Sequence, residues 1–439
     1  MIHFVVKKRS IPRGKIRIPG DKSIAHRALL ISALACGKTI IKNFPQHDDS
    51  LATLNALVAL GVRVSCRNNQ ISIWGRGKVG LLKPRKPIYV NNSGTTLRLL
   101  LGLLAGQDFQ TKLMAGKYLS LRPMARVNIP LRLMGATVIA QNKGSQEYPP
   151  LVVSGDNLKG ITYSLPVASA QVKSAILLAG LSAKGKTRVI ERIVTRDHTE
   201  RMLKLYGADI MIKKNSVILN PKRELVAPKE VHLPGDISSA AFFIVWAVIS
   251  SGARIIIENV GLNPRRIGII NVLKRMQAKI KVTVFKADKQ QGFEPRGDLV
   301  ISSSKLKGVV VDAHEVPSLI DELPILMVAA CFANGRTIIK GVGELRVKET
   351  DRVNSMVANL KKMGADIRVD KINRVENIVI QGKGRLCGAR LRSFGDHRTA
   401  MSMAIAALAA DGESRLDDIS CVSKSFPGFL GKLNSLMER

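Results

Sequence analysis

Lys15-Ile16-Arg17-Ile18 alternates polar and apolar residues, the signature of a half-buried strand. Pro19-Gly20 breaks that strand, and the small and apolar run from Ala28 to Leu34 predicts a buried helix. The same succession recurs along the chain: a strand, a polar turn, a small-residue helix, a second strand and an amphipathic helix. The amphipathic helices close on Leu60-Gly61-Val62, Met134-Gly135-Ala136, Tyr206-Gly207-Ala208, Met276-Gln277-Ala278 and Met363-Gly364-Ala365. Glycine stands at the left-handed cap position in four of these five, and a short strand follows each. The polar turns are Gly20-Asp21-Lys22, Asn91-Asn92-Ser93, Ala168-Ser169-Ala170, Gly235-Asp236-Ile237, Ser318 to Glu322 and Gly395-Asp396-His397. Their spacing gives units of roughly 65 to 85 residues, one supersecondary unit each and too long for a solenoid repeat.

The first and fourth units share a Gly-Asp turn, which points to a duplicated domain of three units. The expected fold is α/β, with two similar domains spanning 20–234 and 1–19 plus 235–439. Hinges fall near Gly20 and Gly235. Six equivalent helix N-termini would then face a shared cleft between the domains, an anion site before any side chain is considered.

Composition narrows the function. At 439 residues the chain is long enough for two large cores. The longest apolar helix candidate, Ala240 to Ile249, is too short for a membrane span, and Ile2 to Val6 before Lys7-Lys8-Arg9 is no signal peptide. Five scattered cysteines without a C-x-x-C pair argue for reduced thiols in a cytoplasm and against zinc. The net charge of +36 favours acidic partners on electrostatic grounds. Aromatic residues make up only 4% and do not interleave with the basic runs, which argues against a nucleic-acid surface and for small polyanions.

The turns carry the groups such ligands need. The first holds Lys22, Ser23 and Arg27, with Arg27 one turn beyond Ser23. The second runs Asn92-Ser93-Gly94-Thr95-Thr96-Leu97-Arg98, where Gly94 lets a ligand approach the backbone, and Arg122 follows. The third holds Ser169-Ala170-Gln171-Val172-Lys173, and Arg196-Asp197-His198-Thr199-Glu200 lies beyond it. The fifth is acidic: Asp321-Glu322 opens a helix, and Lys348-Glu349-Thr350-Asp351-Arg352 follows the next strand. Carboxylates set among cations suit proton transfer. The sixth has Asp396-His397-Arg398 and later Lys424.

These dispersed motifs, in this order and over the whole length, resemble the 5-enolpyruvylshikimate-3-phosphate synthase family. The resemblance implies two domains of three β-α-β-α-β-β units each. It also implies an enzyme that transfers the enolpyruvyl group of phosphoenolpyruvate to the 5-hydroxyl of shikimate 3-phosphate. Carried over by motif, Ser23, Arg27, Ser169, Ala170, Gln171, Arg196 and Lys348 would hold shikimate 3-phosphate. Gly94, Arg122, Gln171, Arg352, Arg398 and Lys424 would line the phosphoenolpyruvate pocket, and Lys22 would touch both substrates. Asp321, which also meets shikimate 3-phosphate, would be the base, and Glu349 with Lys22 the acid. No cofactor or metal is implied, nor any nucleic acid, membrane or second chain.

Ser169 to Lys173, Arg196-x-His198-x-Glu200 and Asn263-x-x-Arg266 are similar to the family's second class. The family is the target of glyphosate, and many tolerant members carry alanine where this chain has Gly94. Ser93 also departs from members with alanine there. Related transferases acting on a UDP-amino sugar usually carry a cysteine in the loop matching Ala115 to Arg122 and asparagine at Ser23. Here that loop has no cysteine.

Overall fold

The computed structural model describes residues 3–7, 9–155, 157–285, 293–372 and 375–437. The chain divides into two compact units. A terminal unit holds Met1–Pro19, Pro234–Lys286 and Pro295–Arg439; an insert unit holds Gly20–Leu233 and Ala287–Glu294. Phe293 packs on the insert unit's core and Glu294 bonds His198 of the same unit.

The chain opens in the terminal unit with β1 (Phe4–Val6) and β2 (Arg13–Arg17), then enters the insert unit. There it forms α1 (Lys22–Ala33), β3 (Cys36–Lys42), α2 (Asp48–Ala59), β4 (Arg63–Arg67) and β5 (Gln70–Arg76). The second repeat is β6 (Ile88–Tyr89), α3 (Gly94–Leu104), β7 (Thr111–Met114), α4 (Ala125–Leu133), β8 (Thr137–Lys143) and β9 (Gln146–Ser154). The third is β10 (Thr162–Leu165), α5 (Ala170–Gly180), β11 (Thr187–Glu191), α6 (His198–Leu205), β12 (Asp209–Lys213) and β13 (Ser216–Asn220), after which β14 (Glu230–His232) closes the unit.

Back in the terminal unit come α7 (Ile237–Ile249), β15 (Arg254–Gly261), α8 (Gly268–Arg275), β16 (Lys279–Val284) and β17 (Arg296–Ser302). The fifth repeat is β18 (Val310–Val311), α9 (Leu323–Cys331), β19 (Asn334–Lys340), α10 (Arg352–Lys362), β20 (Asp366–Ile372) and β21 (Val375–Lys383). The sixth is β22 (Arg390–Leu391), α11 (His397–Ala409), β23 (Ser414–Leu416) and α12 (Phe429–Met437).

Five sheets have four strands in one arrangement, as in β6-β7-β9-β8. The first two strands are parallel, which the intervening helix permits, and the last two form an antiparallel hairpin. Two strands exchange places. β2 leads into α1 but pairs in parallel with β15, Ile16 opposite Ile257. β14 leads towards α7 but pairs in parallel with β3, Val231 opposite Ile41. The sixth sheet is shortened to β22-β23-β1, with β1 antiparallel to β23. In place of a hairpin, α12 packs Phe429 against Phe242, Phe243 and Phe426, with ring centroids 5.7–6.1 Å apart.

The first helix of each repeat lies inside and the sheets outside. α3, α5, α7, α9 and α11 are buried almost around their whole circumference, as uniformly apolar or small-residue helices must be. α3 and α5 approach closely at Gly102, where a Cβ would fall 2.2 Å from the carbonyl oxygen of Ala175. The caps of the second helices are left-handed: Gly61, Gly135, Gly207 and Gly364 have φ of 81°, 101°, 80° and 81°, and Gln277 adopts 69°. No helix of the described residues is long and apolar enough to cross a membrane.

Candidate active site

The candidate residues lie in the turns that open the helices, where backbone N–H groups are unpaired and the helix dipole is positive, and in the short turns beside them. In the insert unit, Asp21 caps α1 and accepts from the Ile24 N–H at 3.0 Å. That leaves Lys22 and Ser23 half-buried in the first turn. Lys22 donates to Asp49, at the start of α2, at 3.0 Å. Arg27 is buried and donates through all three nitrogens: Nε to Thr199 at 2.6 Å, Nη2 to Ser174 at 2.8 Å and Nη1 to the Ser23 carbonyl at 2.8 Å. Burial lowers its pKa to about 10 against the support of Glu200 and Asp21, so it is charged at neutral pH.

Ser93 caps α3 and Ser169 caps α5 by the same device. Gln171 bridges these two helices, donating to Thr95 at 3.0 Å and accepting from Arg98 at 3.0 Å. Gly94 opens α3 between two guanidinium groups. A Cβ there would meet Arg98 Nη1 at 2.7 Å and Arg122 Nη1 at 3.0 Å. Arg122 follows the short turn Leu119–Leu121. Arg196 precedes α6, near enough to Arg27 to oppose its charge. Ala170 is the first residue of α5. Thus Lys22, Ser23, Arg27, Gly94, Arg122, Ser169, Ala170, Gln171 and Arg196 all belong to the insert unit.

Asp321, Lys348, Glu349, Arg352, Arg398 and Lys424 belong to the terminal unit. Arg352, the first residue of α10, is 2% exposed and meets three carboxylates. Its Nη2 donates to Glu349 at 2.5 Å, Nε donates to Asp396 at 3.0 Å, and Nη1 lies 3.6 Å from Asp321. Burial disfavours this guanidinium's charge, but Asp396, Glu349 and Asp321 outweigh burial and hold it protonated beyond the ordinary arginine range. Asp396 also caps α11, accepting from the Arg398 and Thr399 N–H groups at 2.8 and 2.9 Å. Lys424 donates to the Gly395 carbonyl at 3.4 Å. Lys348 is half-buried in the turn before α10.

Each unit therefore offers cations at helix N-termini, and the terminal unit adds two carboxylates beside one guanidinium. That chemistry suits anionic substrates and a proton moved at a fixed point. Among the described residues no three His, Cys, Asp or Glu side chains gather as a metal site requires. Sequence reasoning did not find the partners that orient these groups: Asp49 for Lys22, Ser174 and Thr199 for Arg27, and Glu322 for Arg266 at 2.9 Å. The last pair sat within quoted motifs, yet 56 residues separate its members.

Comparison with known proteins gives one consistent result. The profile of the EPSP synthase (3-phosphoshikimate 1-carboxyvinyltransferase) family matches residues 6–433. A 3-phosphoshikimate 1-carboxyvinyltransferase of Syntrophomonas wolfei is 47% identical over 425 residues, 97% of each chain. The protein of that name from Geotalea uraniireducens is 46% identical over 434 residues, 99% of each chain. A solved structure of EPSP synthase from Acinetobacter baumannii superposes with a TM-score of 0.87 at 41% identity, covering 99% of this chain and 98% of that one.

Proposed function

The chain belongs to the EPSP synthase family, and from that premise we propose how its residues carry out the family's reaction. The enolpyruvyl group of phosphoenolpyruvate passes to the 5-hydroxyl of shikimate 3-phosphate, a step of the shikimate route to aromatic amino acids. The hydroxyl oxygen bonds to C2 of phosphoenolpyruvate, its proton leaves, and C3 gains a proton. The C2–O bond to phosphate then breaks, C3 returns a proton, and 5-enolpyruvylshikimate 3-phosphate and inorganic phosphate result.

Asp321 takes the hydroxyl proton, and Glu349, assisted by Lys22, supplies the proton to C3. The observation that carries this reading is the buried guanidinium of Arg352, which donates to Glu349 and lies 3.6 Å from Asp321. Two carboxylates beside one side chain can serve the two proton transfers of a single addition, one at the hydroxyl oxygen and one at C3. Arg352, Arg398, Arg122 and Lys424 bind phosphoenolpyruvate with Gln171 and the open backbone at Gly94. Ser23, Arg27, Ser169, Gln171, the Ala170 backbone, Arg196 and Lys348 hold shikimate 3-phosphate. Arg352 Nη2 already donates to Glu349. A substrate carboxylate competing for that donor releases Glu349, which then takes up a proton from solvent and delivers it to C3.

The reaction needs both sets of groups on one pair of substrates. The proposal therefore includes an active site shared by the two units, completed when shikimate 3-phosphate binds. It further includes a single chain acting in the cytoplasm without cofactor. The test is phosphate release from phosphoenolpyruvate with and without shikimate 3-phosphate. Release that needs both substrates is expected. Release with a UDP-amino sugar alone as acceptor, or none with either, overturns the proposal.

A further inference from the structure

The inner helix of every repeat begins on a polar turn, and five of the six cap residues bond their own helix: Asp21, Ser93, Ser169, Asp236 and Asp396. The exception is α9. Glu322 stands at its cap position and makes no such bond. Pro324 in the first turn has no N–H to satisfy, which weakens the demand for a cap. The Glu322 carboxylate, with no exposed surface, turns instead to Arg266, whose Nη1 lies 2.9 and 3.0 Å from its two oxygens. Ser238, in the first turn of α7, donates to Glu322 and accepts from Arg266. Asp236 lies 3.8 Å from Arg266 on the far side.

The same carboxylate faces Arg398, with 3.9 Å between Oε1 and Nη1. Arg398 is 5% exposed, and its Nε and Nη1 have no hydrogen-bond partner among the described residues. A buried guanidinium in that state is costly unless a charge or a ligand meets it. At 3.9 Å Glu322 supplies the charge and leaves the donors open. Glu322 is also the residue after Asp321, so anchoring one fixes the turn that presents the other.

We propose that Glu322, anchored by Arg266, is a positioning residue that aims Arg398 at phosphoenolpyruvate and steadies the turn carrying Asp321. This rests on the function proposed above. Glu322→Gln keeps the side chain's size and removes its charge. We expect the KM for phosphoenolpyruvate to rise at least tenfold and kcat to fall, with the KM for shikimate 3-phosphate changed less than twofold. Glu322→Asp, which keeps the charge, recovers part of both losses. Because the effect runs through Arg398, Glu322→Gln adds less than threefold to that KM in an Arg398→Ala background.

If Glu322→Gln does not fold, Arg266→Lys is read in the same way, since it keeps the charge and loses the contact with both oxygens. A native chain that turns over beside a Glu322→Gln enzyme with unchanged constants overturns the positioning role alone. So does a loss shared equally by both substrates, which marks a merely structural residue. A native chain that neither turns over nor gains thermal stability from the two substrates overturns the function and the positioning role together.

Discussion

Asp321 and Glu349 meet Arg352 from different segments of the chain, and their proposed roles separate in kinetics. Asp321→Ala removes the group that accepts the hydroxyl proton and leaves the phosphoenolpyruvate cations in place. Its kcat is expected to fall by two to four orders of magnitude, about the worth of general acid–base catalysis, with little change in phosphoenolpyruvate binding. A near-normal kcat would remove Asp321 from that role. Arg122→Ala and Lys424→Ala should act the other way, raising the KM for phosphoenolpyruvate, and an unchanged KM would count against them.

His26 gives a pH prediction. It is wholly buried, bonded through Nδ1 to Thr53 at 2.7 Å, and held well below its ordinary pKa by burial and by the charges of His47, Lys22 and Arg27. The folded state keeps it neutral, whereas the unfolded chain protonates it below about pH 6.5. Its contribution to stability is therefore present above that pH and lost on acidification, by up to about 1.4 kcal/mol per pH unit. Between pH 6.5 and 5, denaturant unfolding of His26→Gln should depend less steeply on pH than unfolding of the native chain. Parallel profiles would exclude this role. At this scale the candidate groups were legible because cations and hydroxyls cluster at turns. Their partners were not: nothing local to Glu322 tells it to reach Arg266 rather than cap its own helix.

Among the elements, the left-handed caps tie sequence to backbone most directly. Gln277 adopts φ 69° where Gly61, Gly135, Gly207 and Gly364 serve in the other units. A side chain in that conformation costs about 1–2 kcal/mol, partly offset by the entropy glycine loses on folding. Gln277→Gly should therefore stabilise by about 0.5 kcal/mol. Gly364→Ala should destabilise by about 1 kcal/mol, and by strain alone, since a Cβ there has no atom within 4 Å. Equilibrium unfolding of both variants checks the opposite signs, and two changes of the same sign would refute the assignment. These caps made the repeat readable, because glycine and a following strand recur at fixed places. The shortened sixth sheet was not readable: its third strand, β1, comes from the other end of the chain, and alternation announces a strand without naming its partner.

For the whole molecule, a charge of +36 faces substrates that are multiply anionic. Electrostatic steering then predicts that kcat/KM falls as potassium chloride is raised from about 10 to 300 mM, as the Debye length shortens from about 30 Å to less than 8 Å. A flat profile would mean that the charge serves something other than substrate capture.

The exchange of β2 and β14 bears on how the molecule responds to tension. In the terminal unit, the Asp236 N–H donates to the Pro19 carbonyl at 2.9 Å, so the two points where the chain leaves and returns are one hydrogen bond apart. In the insert unit, a Cβ on Gly20 would lie 3.1 Å from that of Leu233, so its ends meet as well. The first and last described strands and helices, β1 and α12, both belong to the terminal unit. A pull on the two ends therefore loads the terminal unit alone, and Gly20–Leu233 carries no force until the junction at Pro19 and Asp236 parts. Optical-tweezer traces should show two steps, the terminal unit always yielding first.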